Sequence, residues 1–93
     1  MIRSFGNAAA GAAWARRFVK GVPNDIQKVA YRKLVQLNAA RTLGDLVAVA
    51  GNRLEALSGD RRGQHSIRVN DRWRVCFRWQ NGDAHDVAII DYH

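Results

Sequence analysis

The last residues of the chain are of types that could carry out acid-base chemistry. Asp91, Tyr92 and His93 directly follow the apolar pair Ile89-Ile90, so an apolar strand would fix their position. If a neighbouring strand brings Arg74 beside them, the group could cleave RNA. The ribose 2′-OH attacks the adjacent phosphorus, one group takes its proton, one protonates the leaving 5′-oxygen, and a cation stabilises the added charge. Histidine suits either proton role, whereas tyrosine would act as a base only with an arginine beside it.

An alternating segment predicts the strand that carries this arginine. A period of two places successive side chains on opposite faces of a sheet. One face of the segment is apolar, with Trp73, Val75, Phe77 and Trp79, and the other is mainly cationic, with Arg72, Arg74, Cys76 and Arg78. The apolar face requires a core, so the arginines are expected on the face turned away from it.

The distribution of charge favours a polyanionic partner. The chain carries 15 Lys and Arg against 8 Asp and Glu, a net charge of +7, which attracts nucleic acid. Arginine side chains held on strands would form a cradle for an RNA backbone. The alternative is a solvated strand face whose arginines pair with acids across the strands. The candidate RNA-binding residues are Arg53, Arg61, Arg62, Arg68, Arg72 and Arg78.

The first half of the chain predicts helices. Asn7 is a plausible N-cap for a helix to about Val19, with Trp14 and Phe18 on one face. Asn24 is predicted to cap a second helix, with Gln27 as its capping-box partner. A third short helix is predicted between Thr42 and Gly51, opened by Thr42 with Asp45.

The second half predicts an antiparallel meander. Strands are expected at about 53–57, 65–69, 72–80 and 84–91, with turns at Asn70-Asp71 and at Asn81-Gly82. Ile2–Phe5 could add an edge strand. With helices covering the apolar face, the prediction is a single α+β domain of two layers over residues 1–93.

Composition narrows the remaining possibilities. Cys76 is the one cysteine, which is compatible with a reducing cytoplasm. No apolar stretch is long enough to span a bilayer, and the N-terminus lacks an apolar signal segment. His65, His85 and His93 lack the spacing of metal ligands. We therefore expect a cytoplasmic protein without a cofactor or a metal ion.

Three segments together resemble a known family, the HigB toxins. This branch of the RelE superfamily is also called the plasmid-maintenance killer proteins. The resemblance covers essentially the whole chain, and its most specific parts are Leu54-x-x-Leu57-x-Gly59-Asp60-Arg61, Trp73-Arg74-x-x-Phe77 and the terminal Asp91-Tyr92-His93. It implies the RelE-like fold, with helices on one side of a curved, mainly antiparallel sheet.

The resemblance also implies a function and partners. HigB toxins are ribosome-dependent endoribonucleases that cut messenger RNA in the decoding site, and they need no metal ion. The implied partners are messenger RNA on the 70S ribosome and a cognate antitoxin of the HigA kind. The antitoxin is usually a helix-turn-helix protein, through which the pair binds its operator DNA.

Site residues follow from the resemblance position by position. Arg74 matches the family's strand arginine that stabilises the transition state, and Asp91, Tyr92 and His93 match the terminal catalytic cluster. Glu55 departs from the pattern, since some HigB toxins have a catalytic histidine there. Glu55 could accept the proton instead, or pair with Arg53 or Arg74 and orient them. Ser58 also departs, because a lysine is common there.

A second class of function fits the same arginines. A basic α+β domain could grip RNA or an antitoxin without catalysis, or with weak activity. The terminal cluster separates the two hypotheses, because only an enzyme needs it beside Arg74.

Overall fold

In the computed structural model, residues 1–92 are described, and they form a helical first half and a sheet-forming second half. The helices are α1 (Ala8–Trp14), α2 (Asn24–Ala39) and α3 (Leu43–Val47). The strands are β1 (Glu55–Ala56), β2 (Gln64–Arg68), β3 (Trp73–Gln80) and β4 (Asp83–Asp91). A short 3₁₀ turn at Gly59–Arg61 separates β1 from β2. This architecture confirms the predicted α+β class.

The strands form one antiparallel sheet in chain order, β1-β2-β3-β4. The two long strands, β3 and β4, are joined by the predicted Asn-Gly turn. Asn81 and Gly82 have φ of 52° and 78°, which are the two positive values that a type I′ hairpin turn requires. The Asn-Gly pair was therefore sufficient to predict this hairpin from the sequence.

The core lies between the helices and one face of the sheet. Leu34 and Leu37 of α2 are completely buried, as are Val75 and Phe77 of β3. These strand residues alternate with Arg74, Cys76 and Arg78, so the apolar face of the predicted alternation meets the helices. The opposite side of the sheet is called the open face below. Within residues 1–92, no helix is long and apolar enough to cross a membrane.

The beginning of the chain runs beside β4 but does not form the predicted strand. Only Ile2 and Phe5 make isolated bridges, in parallel orientation, to Ala84 and Val87 of β4. Between them, the Ser4 hydroxyl accepts a hydrogen bond from the backbone N–H of Asp86 at 2.9 Å. Asp86 has φ of 52° and lies beside the irregularity in the β3–β4 register, so the segment is broken into separate contacts.

The predicted end of the first helix was wrong. Asn7 caps α1 as predicted, but α1 ends at Trp14, well before Val19, and Arg16 has φ of 59°. Beyond it, Phe18 is 74% exposed, so it does not share a buried face with Trp14. Strand β1 is also shorter than predicted, with two residues.

The start of α2 was predicted with the wrong cap. Pro23 is the N-cap, Asn24 is the first helical residue, and no side chain caps the helix. Gln27 does not complete a capping box. Its buried side chain donates to the Arg17 carbonyl at 3.0 Å and accepts from the Val19 backbone N–H at 3.4 Å, which ties the loop after α1 to α2. In α3 the capping box of Thr42 and Asp45 is confirmed, although that helix ends at Val47, ahead of Gly51.

The packing of α2 gives a direct test of the core. Leu34→Ala should lower the free energy of unfolding by about 2–5 kcal/mol, because it removes a completely buried side chain and leaves a cavity. The adjacent Val35 is 43% exposed, so Val35→Ala should change it by only about 0.5 kcal/mol. Urea unfolding of the two variants checks this, and equal losses would contradict the placement of α2.

Candidate functional site

The side chain of Arg74 is fixed on the open face by three hydrogen bonds. Its Nε–H donates to the Ser66 hydroxyl at 2.7 Å, and Nη2 donates to the carbonyls of Arg53 at 2.6 Å and Ser66 at 3.3 Å. The side chain is 12% exposed. A guanidinium has five N–H donors in a rigid fork, and among the described residues Nη1 donates no hydrogen bond. Arg74 therefore presents, in a fixed orientation, one edge that is free of hydrogen bonds to the described residues.

Glu55 lies next to this free edge. Its carboxylate Oε1 is 3.8 Å from Nη1 of Arg74, and the side chain is 59% exposed. The position follows from the pairing of β1 with β2, which sets Glu55 opposite Ser66, the residue that anchors Arg74. Of the two predicted partners for Glu55, the structure places Arg74 at ion-pair distance. The carboxylate is too far for a hydrogen bond, so both groups remain able to contact a ligand.

Tyr92 reaches the same face from the end of β4. Its backbone N–H donates to the Arg72 carbonyl at 2.5 Å, which continues the pairing with β3. The phenol oxygen lies 3.7 Å from the buried Sγ of Cys76, the residue two positions after Arg74 on the open face. The predicted approach of Tyr92 to the arginine strand is therefore present in the structure. His93 lies outside the described residues.

The surroundings of Tyr92 favour its protonated form. Burial and the contact with Cys76 raise the pKa of the phenol above its usual value, and the nearby guanidinium groups of Arg61 and Arg74 oppose this shift without reversing it. Burial likewise raises the pKa of the Cys76 thiol. Tyr92 is thus suited to donate a proton or a hydrogen bond near neutral pH, and is less suited to act as a base.

A spectroscopic titration tests this environment. In Tyr31→Phe, Tyr92 is the one tyrosine left in the chain, so phenolate absorbance reports it alone. We expect a midpoint above about 10 in the native protein and a return to about 10 in urea. Because the pKa of Tyr92 is higher in the folded protein, the neutral phenol adds to the free energy of unfolding. This contribution is complete below a pH of about 10 and is lost as the pH rises through the folded pKa. A native midpoint at or below the denatured one would contradict the assignment.

Asp91 lies at the edge of the site in a bidentate ion pair with Arg72. The two Asp91 carboxylate oxygens accept from Nε and Nη2 of Arg72, both at 2.7 Å. Asp91 sits opposite Trp73 in the β3–β4 register, so the pair links the ends of both strands directly before Tyr92. Asp91 therefore helps to orient the end of β4 through its contact with Arg72. The same contact turns the Arg72 guanidinium towards the Asp91 carboxylate.

Two other predicted RNA-binding arginines also have acidic neighbours. Nη2 of Arg68 lies 2.5 Å from Oδ1 of Asp71, and Nε of Arg78 lies 3.5 Å from Oδ2 of Asp86. Asp71 is 97% exposed and Asp86 is 56% exposed, and such exposed pairs are weak enough to exchange for a phosphate. Arg61 contacts the Gln64 amide oxygen at 3.3 Å, while Arg53 and Arg62 are exposed. The arginines around the site therefore differ in how readily they can contact a phosphate, because some already have an acidic partner.

The described residues form a cleft on the open face of the sheet and a larger cleft between helices. A cleft of about 390 Å³ on the open face is lined by Arg61, Gln64, Arg78, Ala88 and Ile90 together with Gly6, Asn7 and Asp86. A larger cleft, of about 650 Å³, lies between α1 and α2. It contains none of the predicted site residues, so volume alone would have pointed away from Arg74 and Tyr92.

Sequence reasoning missed the residues that anchor Arg74. Ser66 and the backbone of Arg53 hold the guanidinium, and the Sγ of Cys76 lies 3.7 Å from the Tyr92 hydroxyl. Ser66 could have been found, because the β2–β3 register places it opposite Cys76 and two residues from the pair of Arg68 and Arg74, on the same face. Among residues 1–92, no three His, Cys, Asp or Glu side chains cluster as metal ligands would.

The fold has relatives among solved structures. Chains from two structures of the Staphylococcus aureus YoeB–YefM toxin-antitoxin complex superpose with a TM-score of 0.62 at 15% sequence identity, covering 100% of this chain and 98% of theirs. At that identity the likeness concerns the fold, which is that of the RelE-like toxins.

Sequence relatives define the family. A family model described as the RelE-like toxin HigB of type II toxin-antitoxin systems matches residues 15–93. Toxin HigB-1 of Vibrio cholerae is 43% identical over 63 residues, 68% of this chain but slightly under two thirds (66%) of that protein. Endoribonuclease HigB of Proteus vulgaris is 34% identical over 94 residues, covering 100% of both chains. The chain therefore belongs to the HigB-like toxin family.

Proposed function

We propose that this toxin is an endoribonuclease that cuts messenger RNA on the ribosome by attack of a ribose 2′-OH, without a metal ion. The observation that carries the proposal is the arrangement at Arg74. Its guanidinium is fixed by Ser66 and Arg53 and keeps one edge free, beside Glu55. The name of the Proteus vulgaris relative, an endoribonuclease aligned over the whole chain, supports the same activity.

In this proposal Arg74 stabilises the charge that develops on phosphorus. The pentavalent transition state carries more negative charge on its oxygens than the substrate does, and a donor already in place needs no reorganisation to meet it. The Nη1 edge is the available donor, because Nε and Nη2 are bound to protein oxygens. A preorganised guanidinium therefore contributes more to the transition state than to substrate binding.

Proton transfer is divided between the ends of β1 and β4. Tyr92, whose raised pKa keeps the phenol protonated, donates the proton to the leaving 5′-oxygen. Glu55 is the base candidate on the opposite side of Arg74, since its carboxylate is exposed and 3.8 Å from Nη1. His93 is the second candidate for either role, by its residue type and its match to the family's terminal cluster. Asp91 orients this end of β4 through Arg72.

The remaining arginines hold the RNA. Arg53, Arg61, Arg62, Arg68, Arg72 and Arg78 contact phosphates of the messenger or of ribosomal RNA. The weak exposed pairs of Arg68 and Arg78 exchange for these contacts, whereas Arg72 stays paired with Asp91 and uses its remaining N–H groups. The open-face cleft between Arg61 and Arg78 has room for a nucleotide, with Ala88 and Ile90 beneath the base. Base stacking above an apolar floor is tolerant of sequence.

Membership of the family supports a proposal for the partner and the compartment. The solved relatives come from a toxin-antitoxin complex, and we propose an antitoxin of the HigA kind, with a helix-turn-helix domain, that carries the pair to its operator DNA. Since messenger RNA on 70S ribosomes is the proposed substrate, the site of action is the cytoplasm.

Induced expression followed by mapping of 5′ ends on cellular messenger RNA tests the activity. The proposal predicts growth arrest together with new 5′ ends inside translated regions, and their loss when a drug removes ribosomes from the messages. Growth arrest without any new 5′ ends would instead favour the non-catalytic binding module. New ends on ribosome-free RNA would contradict the dependence on ribosomes.

A further inference from the structure

Asn52 is a polar side chain buried completely in the link between α3 and β1. Its amide Nδ2–H donates to the Leu46 carbonyl at 3.1 Å, and its Oδ1 accepts from Nζ of Lys33 at 2.6 Å. The backbone carbonyl of Asn52 accepts from the Arg68 N–H at 2.6 Å. The residue thus ties α2, α3 and β2 together. A buried amide whose nitrogen and oxygen are both hydrogen-bonded keeps one orientation, because any shift would leave a buried polar group unpaired.

The next residue adopts a backbone conformation that side chains rarely take. Arg53 has φ of 46°, in the left-handed region that favours glycine. This turn directs its carbonyl to Nη2 of Arg74 at 2.6 Å. The side chain of Arg53 is exposed and is not needed for this contact. An unfavourable backbone conformation next to a candidate site suggests that the surrounding structure maintains it for a purpose.

We propose that Asn52 and the backbone of Arg53 are positioning residues that set the orientation of the Arg74 guanidinium. Among the described residues, the other anchors of Arg74 all belong to Ser66 on the adjacent strand. Contacts to Ser66 alone leave the guanidinium able to tilt about that strand, and the Arg53 carbonyl supplies the second, independent anchor. Lys33 holds Asn52 from α2, so the helical layer is connected to the site through the sheet edge.

The consequence is a reassignment of Arg53. Its part in the site is carried by its main-chain oxygen and its left-handed turn, whereas its charge contributes only to RNA binding. The effect on catalysis rests on the proposed function. The effect on the orientation of Arg74 does not, so the two can be tested separately.

A series of neutral residues at position 53 separates the effect of the backbone conformation from the effect of the side-chain charge. Arg53→Gly, Arg53→Ala and Arg53→Val all remove the same charge, but glycine adopts a positive φ freely, alanine less so, and a β-branched valine least. We expect the single-turnover cleavage rate at saturating ribosomes to follow the order Gly, Ala, Val. Misplacement of a catalytic group costs up to about 100-fold, so we expect Val to fall about 10-fold or more below Gly, with similar binding in all three.

A second readout needs no activity. The Nε–H proton of Arg74, bound to Ser66, should give a protected signal in nuclear magnetic resonance spectra, assigned by its loss in Arg74→Lys. The signal should persist in Arg53→Gly and shift or exchange faster in Arg53→Val. If Val does not fold, the comparison of Gly with Ala, checked by thermal unfolding, serves in its place.

The outcomes separate the two proposals. Equal cleavage rates and equal Arg74 signals across the folded variants would overturn the positioning role. A graded Arg74 signal in a protein that cleaves no RNA would preserve the positioning role and contradict the proposed function.

Discussion

Replacement of Arg74 by lysine is expected to lower the rate of RNA cleavage by about 10²–10³-fold, the usual effect of removing one preorganised donor from a developing oxyanion. Lysine keeps the positive charge but has a single ammonium in place of a planar fork. It cannot bind Ser66 and the Arg53 carbonyl and also present a second edge of N–H donors, as the Arg74 guanidinium does. The measurement is single-turnover cleavage of a messenger on purified ribosomes, with binding measured in parallel.

Arg32→Lys is the matched control for this substitution. Arg32 is an exposed arginine of α2, on the helical side of the sheet, and it undergoes the same chemical change without touching the site. We expect its cleavage rate to stay near that of the wild type, and ribosome binding to change little in either variant. Cleavage by Arg74→Lys at the rate of the control would exclude Arg74 from the transition state.

Replacement of Tyr92 by phenylalanine should lower cleavage by about 10²-fold, at the lower end of the range for a positioned general acid. The ring stays, so its contacts on the open face are kept, and only the hydroxyl near Cys76 is removed. Because the pKa of Tyr92 is raised, the phenol is the protonated form throughout the neutral range. The rate of the wild type should therefore not fall through loss of this proton between pH 6 and 9, where the assay is run.

Tyr31→Phe is the control for the hydroxyl. Tyr31 lies on α2 against Trp14 and Arg16, away from the open face, and its substitution should leave cleavage unchanged. If Tyr92→Phe and Tyr31→Phe cleave equally fast, the leaving group is protonated by another residue. His93 would then be the first candidate to test.

The sheet was largely predictable because its signals are local. The alternation from Trp73 to Trp79 placed the arginines on the open face, and Asn81-Gly82 identified the hairpin that joins β3 to β4. Once these two strands are aligned, Tyr92 must end near the arginine strand. The approach of Tyr92 to the arginine strand therefore followed from the sequence, although its contact with Cys76 did not.

The helical half was less predictable because tertiary contacts decide its boundaries. The alanine-rich segment could continue as a helix to Val19, but α1 stops at Trp14 and Arg16 turns into the left-handed region. The Gln27 side chain, ten residues further along, holds the backbone of Arg17. No pattern within the segment reports a contact from another helix.

Apart from Ser66, the contacts that fix the site were not predictable, for the same reason. Arg72 faces Asp91 instead of standing free beside Arg74, and this depends on which residues the β3–β4 register sets side by side. The main-chain oxygen of Arg53 carries no sequence signal at all, because every residue has one. The chemistry could be inferred from residue types, whereas the rigidity that supports it required coordinates.

In the proposed mechanism, Arg74 and Tyr92 promote cleavage by attack of the ribose 2′-OH. The most direct test is a messenger in which the nucleotide 5′ to the mapped cleavage site carries a single 2′-deoxyribose. A chelator would also strip Mg²⁺ from the ribosome, whereas this substitution removes only the proposed nucleophile. We predict that the modified messenger is bound normally but not cut, and that the unmodified one yields a 5′-hydroxyl end. Cleavage of the deoxy-substituted messenger at the same position and rate would contradict the mechanism.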